Sequence, residues 1–239
     1  MANMLLKNLS VLLFVLVAIL VQPKIPLANA DEKSAPYVIG YIDHPRIHEF
    51  YKPLIKEAYK QIGITASFEK VGVKRGLRLL NEGRTDADVI RYDVVTTDHA
   101  NIIAIEPQLS RGASFLLCKK SVKCHADIVN DPLAGIAVTS RFYQNFNRQS
   151  EPFSANFYEF DDFYHILHLV NTKRFDYAIA PSDFSELTLF DDYDLTYIPL
   201  IEHKLVHVIH KKHLHLKEKL SVAIATQLEK HQLRHANEK

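Results

Sequence analysis

Arg91 is the side chain whose position most clearly predicts chemistry, because it interrupts an otherwise apolar stretch that ends at Tyr92. A buried guanidinium is costly unless an acid neutralises it. The planar guanidinium can also bind a carboxylate through two parallel hydrogen bonds. One expectation is therefore that Arg91 holds the acidic group of a bound molecule. The other is a structural ion pair with a nearby acid, namely Asp88, Asp93 or Glu82.

Other candidates lie where a predicted strand ends or a predicted helix begins. Tyr41 ends the first strand, where its ring would stack on a ligand or serve as a core or rim aromatic. Ser140 and Arg141 open a helix, where their backbone N–H groups are placed either to hold an anion or simply to be capped. Asp161 or Asp162 begins the following helix, as a cap or as a ligand contact.

Histidine is frequent, with thirteen in the chain, and five of them precede the last predicted helix. These five are His203, His207, His210, His213 and His215. Their spacing matches no recognised metal motif such as His-Glu-x-x-His. We predict a partly exposed surface set and no metal site, with zinc binding as the alternative. The sequence has no nucleophile-elbow, phosphate-loop or dinucleotide motif, so we predict no catalytic residues and no cofactor.

Residues 1–30 have the pattern of a secretory signal peptide. Lys7 precedes an apolar run of eleven residues, 11–21, and Ala28-Asn29-Ala30 supplies a small-residue cleavage site. A membrane-spanning helix needs about twenty residues. We therefore predict cleavage before Asp31 and a periplasmic location. An uncleaved membrane anchor is the alternative.

An oxidising compartment favours a disulfide between the two cysteines of the chain, Cys118 and Cys124. Five residues separate them, and closing so small a loop is worth about 2 kcal/mol in the chain-entropy account. A zinc site would require further ligands, and a nucleophilic thiol would require one free cysteine. We therefore predict that the pair forms a structural disulfide.

The charge balance argues against a nucleic-acid partner. Lys and Arg number 29, Asp and Glu number 28, and no basic stripe is present. Residues 31–239 suffice for one large domain or two small lobes. We predict a monomer that is soluble once the signal is removed, because no second apolar stretch is long enough to cross a bilayer.

Short β-branched segments alternate with helical patterns along the rest of the chain. The predicted strands are 37–42, 65–69, 86–93, 113–117, 134–139, 156–160, 175–180, 195–199 and 205–209. The predicted helices are 47–62, 73–80, 140–146, 161–170, 182–189 and 216–233. This alternation predicts an α/β protein with largely parallel sheets. The cycle runs twice, over 37–105 and 112–199, which predicts two lobes rather than one sheet.

Two similar segments carry a resemblance to a known family. Leu79-Leu-Asn-Glu-Gly-Arg-Thr-Asp-Ala-Asp88 ends a helix and starts a strand, and His168-Leu-Val-Asn-Thr-Lys-Arg-Phe-Asp-Tyr-Ala-Ile-Ala180 repeats that step. Between them, Leu133-Ala-Gly-Ile-Ala-Val138 looks like a strand that opens a second lobe. With this order behind a signal peptide, the chain resembles the extracytoplasmic solute-binding proteins of family 3, the amino-acid type with the type II periplasmic binding fold.

The resemblance implies a two-lobed α/β fold with mixed, mainly parallel sheets and flanking helices. It implies a first lobe over 31–110, completed by 204–239, and a second lobe over 111–203. The ligand would lie in the cleft at the carboxyl ends of strands from both lobes. Ser182 and Asp183 follow a strand where the family often directs a group into the cleft. The candidate ligand-binding residues are therefore Tyr41, Arg91, Ser140, Arg141, Asp161, Ser182 and Asp183.

One departure from the family bears on the ligand. Amino-acid binders usually carry Thr-x-x-Arg after the third strand, and that arginine pairs with the ligand α-carboxylate. The matching segment here is Thr97-Asp-His-Ala100, which lacks the arginine. Whether Arg91 replaces it stays open, as does an ordinary free amino acid as the ligand.

The resemblance implies a non-catalytic protein that closes around a small polar solute and delivers it to an inner-membrane permease of the ABC type. The main alternative is a ligand sensor that feeds a membrane signalling protein. An enzyme on this fold, such as a dehydratase, is a further alternative, but no acid or base group identifies one. Metal binding by the histidines is the last alternative function.

Overall fold

The computed structural model describes residues 36–139, 153–185 and 187–237. The predicted signal peptide and the predicted helix 140–146, with Ser140 and Arg141, lie outside the described residues. None of the helices in these described ranges is both long enough and apolar enough to cross a membrane.

Strands and helices alternate along these ranges, as the sequence predicts. The strands are β1 (Tyr37–Tyr41), β2 (Ala66–Lys70), β3 (Ala87–Tyr92), β4 (Ile102–Lys119), β5 (Gly135–Thr139), β6 (Asn156–Phe160), β7 (Tyr177–Asp183) and β8 (Leu195–His210). The helices are α1 (Lys52–Gln61), α2 (Val73–Asn81), α3 (Val95–Asp98), α4 (Phe163–Asn171), α5 (Thr188–Asp191) and α6 (Lys217–Asn237). A π-helical turn, Ile47–Tyr51, precedes α1, and 3-10 turns span Ala126–Asn130 and Lys211–Leu216.

The eight strands form one hydrogen-bonded series in the order β2-β1-β3-β8-β4-β7-β5-β6. Pairing is parallel at both ends, where β1 joins β2 and β3 and β5 joins β6 and β7, and antiparallel in the centre. The predicted α/β class with a mixed sheet is confirmed. The expectation of two separate sheets is not, because β4 and β8 run through both halves. We call β2, β1 and β3 the first half, β7, β5 and β6 the second half, and β4 and β8 the crossing strands.

The crossing strands are longer than the sequence predicts. β4 has 18 residues where only 113–117 are predicted, and β8 has 16 residues where two shorter strands are predicted. The missed part of β4 contains Glu106-Pro-Gln-Leu-Ser-Arg111, which lacks an apolar alternation because it passes between the two cores. The ladder between the crossing strands shifts register between Ile105 and Ser110.

Each half of the sheet has its own apolar core. In the first half, helices α1 and α6 pack on β1 and β3 through buried side chains that include Ile39, Leu54, Ile55, Tyr59 and Ile224. In the second half, α4 covers one face through Phe163, Ile166, Leu167 and Val170. The opposite face of that half packs through Leu116, Ile136, Val138 and Ile179 and carries the bonded pair Cys118–Cys124. The predicted disulfide is therefore confirmed.

Local sequence features account for the ends of α1 and α4, and one predicted helix is wrong. Pro53 lies in the first turn of α1, and Gly63 ends that helix with a φ of 78°. At α4 the Asp162 side chain accepts a hydrogen bond of 2.7 Å from the backbone N–H of His165, so Asp162 is the cap. The helix predicted over 182–189 is wrong, because Ser182 continues β7 by pairing with β4.

Candidate functional site

A cavity of about 120 Å³ lies where the two halves of the sheet meet. The carboxyl ends of β1, β3, β5 and β7 point towards it, which is where open α/β sheets place ligands. The first half contributes Ile42, Asp43, His44, Arg46, Ile47, Tyr51, Val73, Ile90, Arg91 and Tyr92. The second half contributes Thr139, Asp161, Phe163, Ile179, Ala180, Pro181, Ser182 and Asp183, and the crossing strands add Ser114 and Leu205.

Arg91 lines this cavity from β3, and only 2% of its surface is exposed. One guanidinium nitrogen, Nη2, forms an ion pair with Asp88, three residues earlier on the same strand, where the pairing of β3 with β8 shifts register. Among the described residues, neither Nε nor Nη1 of Arg91 has a hydrogen-bond partner. The expected ion pair of Arg91 with an acid is therefore present, with Asp88 as the acid, whereas the expectation that Arg91 holds a ligand stays a prediction.

Helix α2 packs directly against the Arg91 guanidinium because it has a glycine there. A Cβ placed on Gly76 would lie 2.7 Å from Arg91 Nη2 and 2.8 Å from Val71 Cγ2. Any other residue would push the guanidinium or the helix away. The sequence signal for this contact is a glycine inside a strongly helical pattern, and the sequence prediction did not use it.

Asp183 joins the two halves of the structure across the cavity. It is 3% exposed, and its Oδ2 accepts a hydrogen bond of 2.6 Å from the Tyr51 hydroxyl. Arg46 Nε lies 3.3 Å from the same oxygen, and Oδ1 accepts from the backbone N–H of Ser185 at 2.8 Å. Burial, with the Asp183 charge beside it, raises the pKa of Tyr51 above its usual value, so the hydroxyl stays protonated and donates.

His44 is a cavity residue that the sequence prediction missed. The backbone N–H of Arg46 donates to Nδ1 of His44 at 3.2 Å, which places the proton of the neutral ring on Nε2. That Nε2 is buried and has no partner in the described part of the chain. The ring packs against Phe163 with centroids 4.4 Å apart. Burial lowers the pKa of His44 to about 4, so the ring is neutral at pH 7.

The remaining predicted site residues occupy different places. Ser182 is buried and lines the cavity, and Asp161 lines it as an exposed residue at the rim. Tyr41 is not among the cavity residues; its ring lies 4.2 Å from Lys52 Nζ and packs edge-on against His48. Ser140 and Arg141 are outside the described residues, directly after the lining residue Thr139.

The histidines before α6 do not form one exposed set. His207 is fully buried, contrary to the prediction, with Nε2 3.0 Å from the Tyr59 hydroxyl and Nδ1 3.2 Å from the Val89 carbonyl. Burial lowers its pKa to about 4. His213 contacts Asp86 at 2.7 Å instead. Within the described ranges no three potential ligands are close enough to hold a metal ion.

Comparison with known proteins agrees with this geometry at the level of fold. No family model and no curated protein matches the chain. The substrate-binding protein of an amino acid ABC transporter superposes with a TM-score of 0.67 at 13% identity, covering 82% of this chain and 96% of that one. The chain has the two-lobed periplasmic binding protein fold. The predicted fold class is therefore confirmed.

Two further solved structures share the fold. ArtJ from Geobacillus stearothermophilus, an arginine-, lysine- and histidine-binding protein, gives a TM-score of 0.65 at 14% identity over 83% of this chain and 91% of that one. The GluR0 ligand-binding core in complex with L-glutamate gives 0.66 at 10% identity over 84% and 96%. Identities this low show only a shared fold, so the ligand of this chain has to be inferred from its own cavity.

Proposed function

We propose that this protein is an exported, non-catalytic solute-binding protein that closes two lobes around a small polar solute for uptake by an ABC-type permease. The observation that carries the proposal is the buried guanidinium of Arg91, which has two unpartnered donors beside a cavity shared by both halves of the described chain. Buried donors without partners are rare in folded proteins. A solute that presents an acidic group satisfies them.

The layout of the cavity supports binding by closure. Its walls come from the first half, the second half and both crossing strands, so a guest in it contacts all three. A molecule that contacts both lobes favours the closed arrangement by its extra contacts there. We assign the lobes to 31–110 with 204–239 and to 111–203.

We place the hinge in the crossing strands, because these connect the two lobes. The ladder between β4 and β8 is interrupted between Ile105 and Ser110, where hydrogen bonds do not resist bending. On the open side of the cleft, Lys74 on α2 bonds Glu159 on β6 at 2.8 Å. Asp183 and Tyr51 make a second link across the gap.

Within the proposed site, the residues have different roles. Arg91 holds the acidic group of the solute, and Ser182 offers a hydroxyl from the second lobe. Asp161 contacts the solute from the rim, and we assign Ser140 and Arg141, which follow Thr139 in the sequence, to an anionic group of the solute. Asp183 mainly ties the lobes together, because Tyr51, Arg46 and Ser185 already use its oxygens. Tyr41 lies outside the cavity and packs on Lys52 and His48, so we assign it no direct contact with the solute.

The test is a thermal-shift screen of small carboxylates and amino acids against the purified protein, repeated on two variants. Arg91→Lys keeps the charge beside Asp88 but cannot form the two-pronged contact, so ligand-induced stabilisation should be lost. Arg78→Lys is the matched control, because Arg78 is exposed and its ion pair within the described residues is with Glu82, at 4.0 Å. Equal ligand-induced increases in Tm for the wild type and Arg91→Lys would show that Arg91 does not bind the ligand, and would refute the proposal.

A ligand sensor is the second candidate function. A solved structure with this fold, the GluR0 ligand-binding core in complex with L-glutamate, supports it as the alternative. The two functions predict different membrane partners for the same closed, ligand-bound form. Cross-linking in the native host, with ligand present, distinguishes a permease from a signalling protein.

A further inference from the structure

The carboxylates around the cavity are already engaged, which limits what a ligand can be. Asp183 accepts from Tyr51 and Ser185 and pairs with Arg46. Asp43 pairs with Lys70 and, at 2.7 Å, with His48. Arg46 and Lys70 already neutralise these two carboxylates, so neither is an unpaired counter-ion for a positively charged ligand group.

Asp161 differs from these two, because it is exposed and stands at the rim. It also borders a neighbouring groove whose other lining residues include Lys74, Arg75 and Arg78. An ammonium group at Asp161 would therefore lie in solvent and near three cations. This rim position does not neutralise an ammonium group buried inside the cavity.

The side-chain atoms left without partners beside the cavity are donors. They are Nε and Nη1 of Arg91 and Nε2 of His44 among the described residues. The Arg46 N–H on Nδ1 fixes the His44 tautomer, so Nε2 carries a hydrogen. Three donors with no acceptor call for a group that accepts several hydrogen bonds, and a carboxylate does so.

Much of the remaining wall is apolar, although Ser114, Thr139 and Ser182 add hydroxyl groups. Its apolar side chains include Ile47, Val73, Ile90, Phe163, Ile179 and Leu205. The volume of about 120 Å³ is slightly below that of an engineered apolar cavity of roughly 150 Å³ that takes benzene. A guest of about five to seven non-hydrogen atoms fits, with a short hydrocarbon chain against the apolar side.

The geometry points to a short-chain monocarboxylate without an α-amino group as the solute, for example a saturated acid of three to five carbons or a 2-oxo acid of three or four carbons. This inference rests on the proposed solute-binding function and names its ligand class. Arg91 holds the carboxylate, His44 donates to it or to a 2-oxo oxygen, and the chain packs on the apolar wall. An α-amino acid would bury an ammonium group without a carboxylate partner, which is unfavourable.

The test compares ligands of one size in calorimetric titrations. Butyrate, 2-oxobutyrate and L-2-aminobutyrate differ only at the second carbon. We expect the first two to bind, and L-2-aminobutyrate to bind at least about 100-fold more weakly. His44→Phe preserves the ring contact with Phe163 and removes the donor, so it should weaken 2-oxobutyrate binding about tenfold. Arg78→Lys should bind all three like the wild type.

Each outcome decides something different. Binding of L-2-aminobutyrate as tight as that of butyrate would overturn the ligand class and leave solute binding intact. A lack of binding by both monocarboxylates would also overturn the ligand class. Native mass spectrometry of the protein purified from its host then tests the broader function, because a bound small molecule of another class would preserve it. A protein without such a molecule and without any hit in the thermal-shift screen would end both proposals.

Discussion

Replacing Gly76 by alanine tests the contact between helix α2 and the Arg91 guanidinium. In an unhindered helix this change stabilises a protein by about 1 kcal/mol, because alanine is the better helix former. Here the new Cβ would lie 2.7 Å from Arg91 Nη2 and 2.8 Å from Val71 Cγ2. The guanidinium cannot move away freely, because it is buried and paired with Asp88.

The gain in helix propensity and the cost of overpacking change the free energy of unfolding in opposite directions. Overpacking of this kind costs about 2 kcal/mol, so about 1 kcal/mol of net destabilisation remains after the gain in helix propensity. For a domain of this size that corresponds to a fall in Tm of about 2–4 °C. We also expect weaker ligand binding, because Arg91 must shift relative to the cavity.

The assay is thermal unfolding by circular dichroism, combined with ligand titration. Gly72→Ala is the matched control, because no atom lies within 4 Å of a Cβ at that position. It should leave ligand affinity unchanged. A Gly76→Ala protein with a Tm raised by about 2 °C and wild-type affinity would refute the close packing of α2 on Arg91.

Three further predictions follow from contacts described above. Asp183→Asn should destabilise the protein by about 1–2 kcal/mol in urea unfolding, because the Tyr51 hydroxyl loses a charged acceptor; an unchanged midpoint would contradict the link. Burial lowers the pKa of His207 to about 4, below the value of about 6.5 in an unfolded chain, so the unfolded state takes up the proton first. The contribution of neutral His207 to the free energy of unfolding is complete above pH 6.5 and declines by up to about 3 kcal/mol as the pH falls towards 4. Urea unfolding at pH 7, 5.5 and 4.5 measures this decline. In the His207→Gln protein the decline should be smaller. Reducing Cys118–Cys124 should cost about 2 kcal/mol in the same assay, and a Cys118→Ser/Cys124→Ser protein should no longer respond to the reductant.

The sequence predicts the regular parts of the fold well because their signals are local. Strand β1 and helix α1 are recovered from a β-branched run and from an apolar period that ends at Gly63. The crossing strands are only partly recovered. Their central residues pass between two cores and carry no alternation, so their pairing is set by distant partners such as Ser110 with Leu205.

Part of the cavity lining could be predicted from the sequence. Arg91, Ser182 and Asp161 line the cavity as predicted from strand and helix ends, although their contact with a ligand stays a prediction. His44 was missed because its role depends on a tautomer fixed by a backbone N–H and on a ring from the other half. The burial of His207 was missed because the sequence cannot show that Tyr59 satisfies it.

The placement of the C-terminal segment has a consequence for the order in which the chain becomes stable. Leu220, Ala223 and Ile224 of α6 belong to the same core as Ile39 and Leu54, near the other end of the described chain. While the ribosome is still making the middle of the protein, that core lacks one of its two covering helices. The first half therefore cannot complete its native packing until α6 has been synthesised.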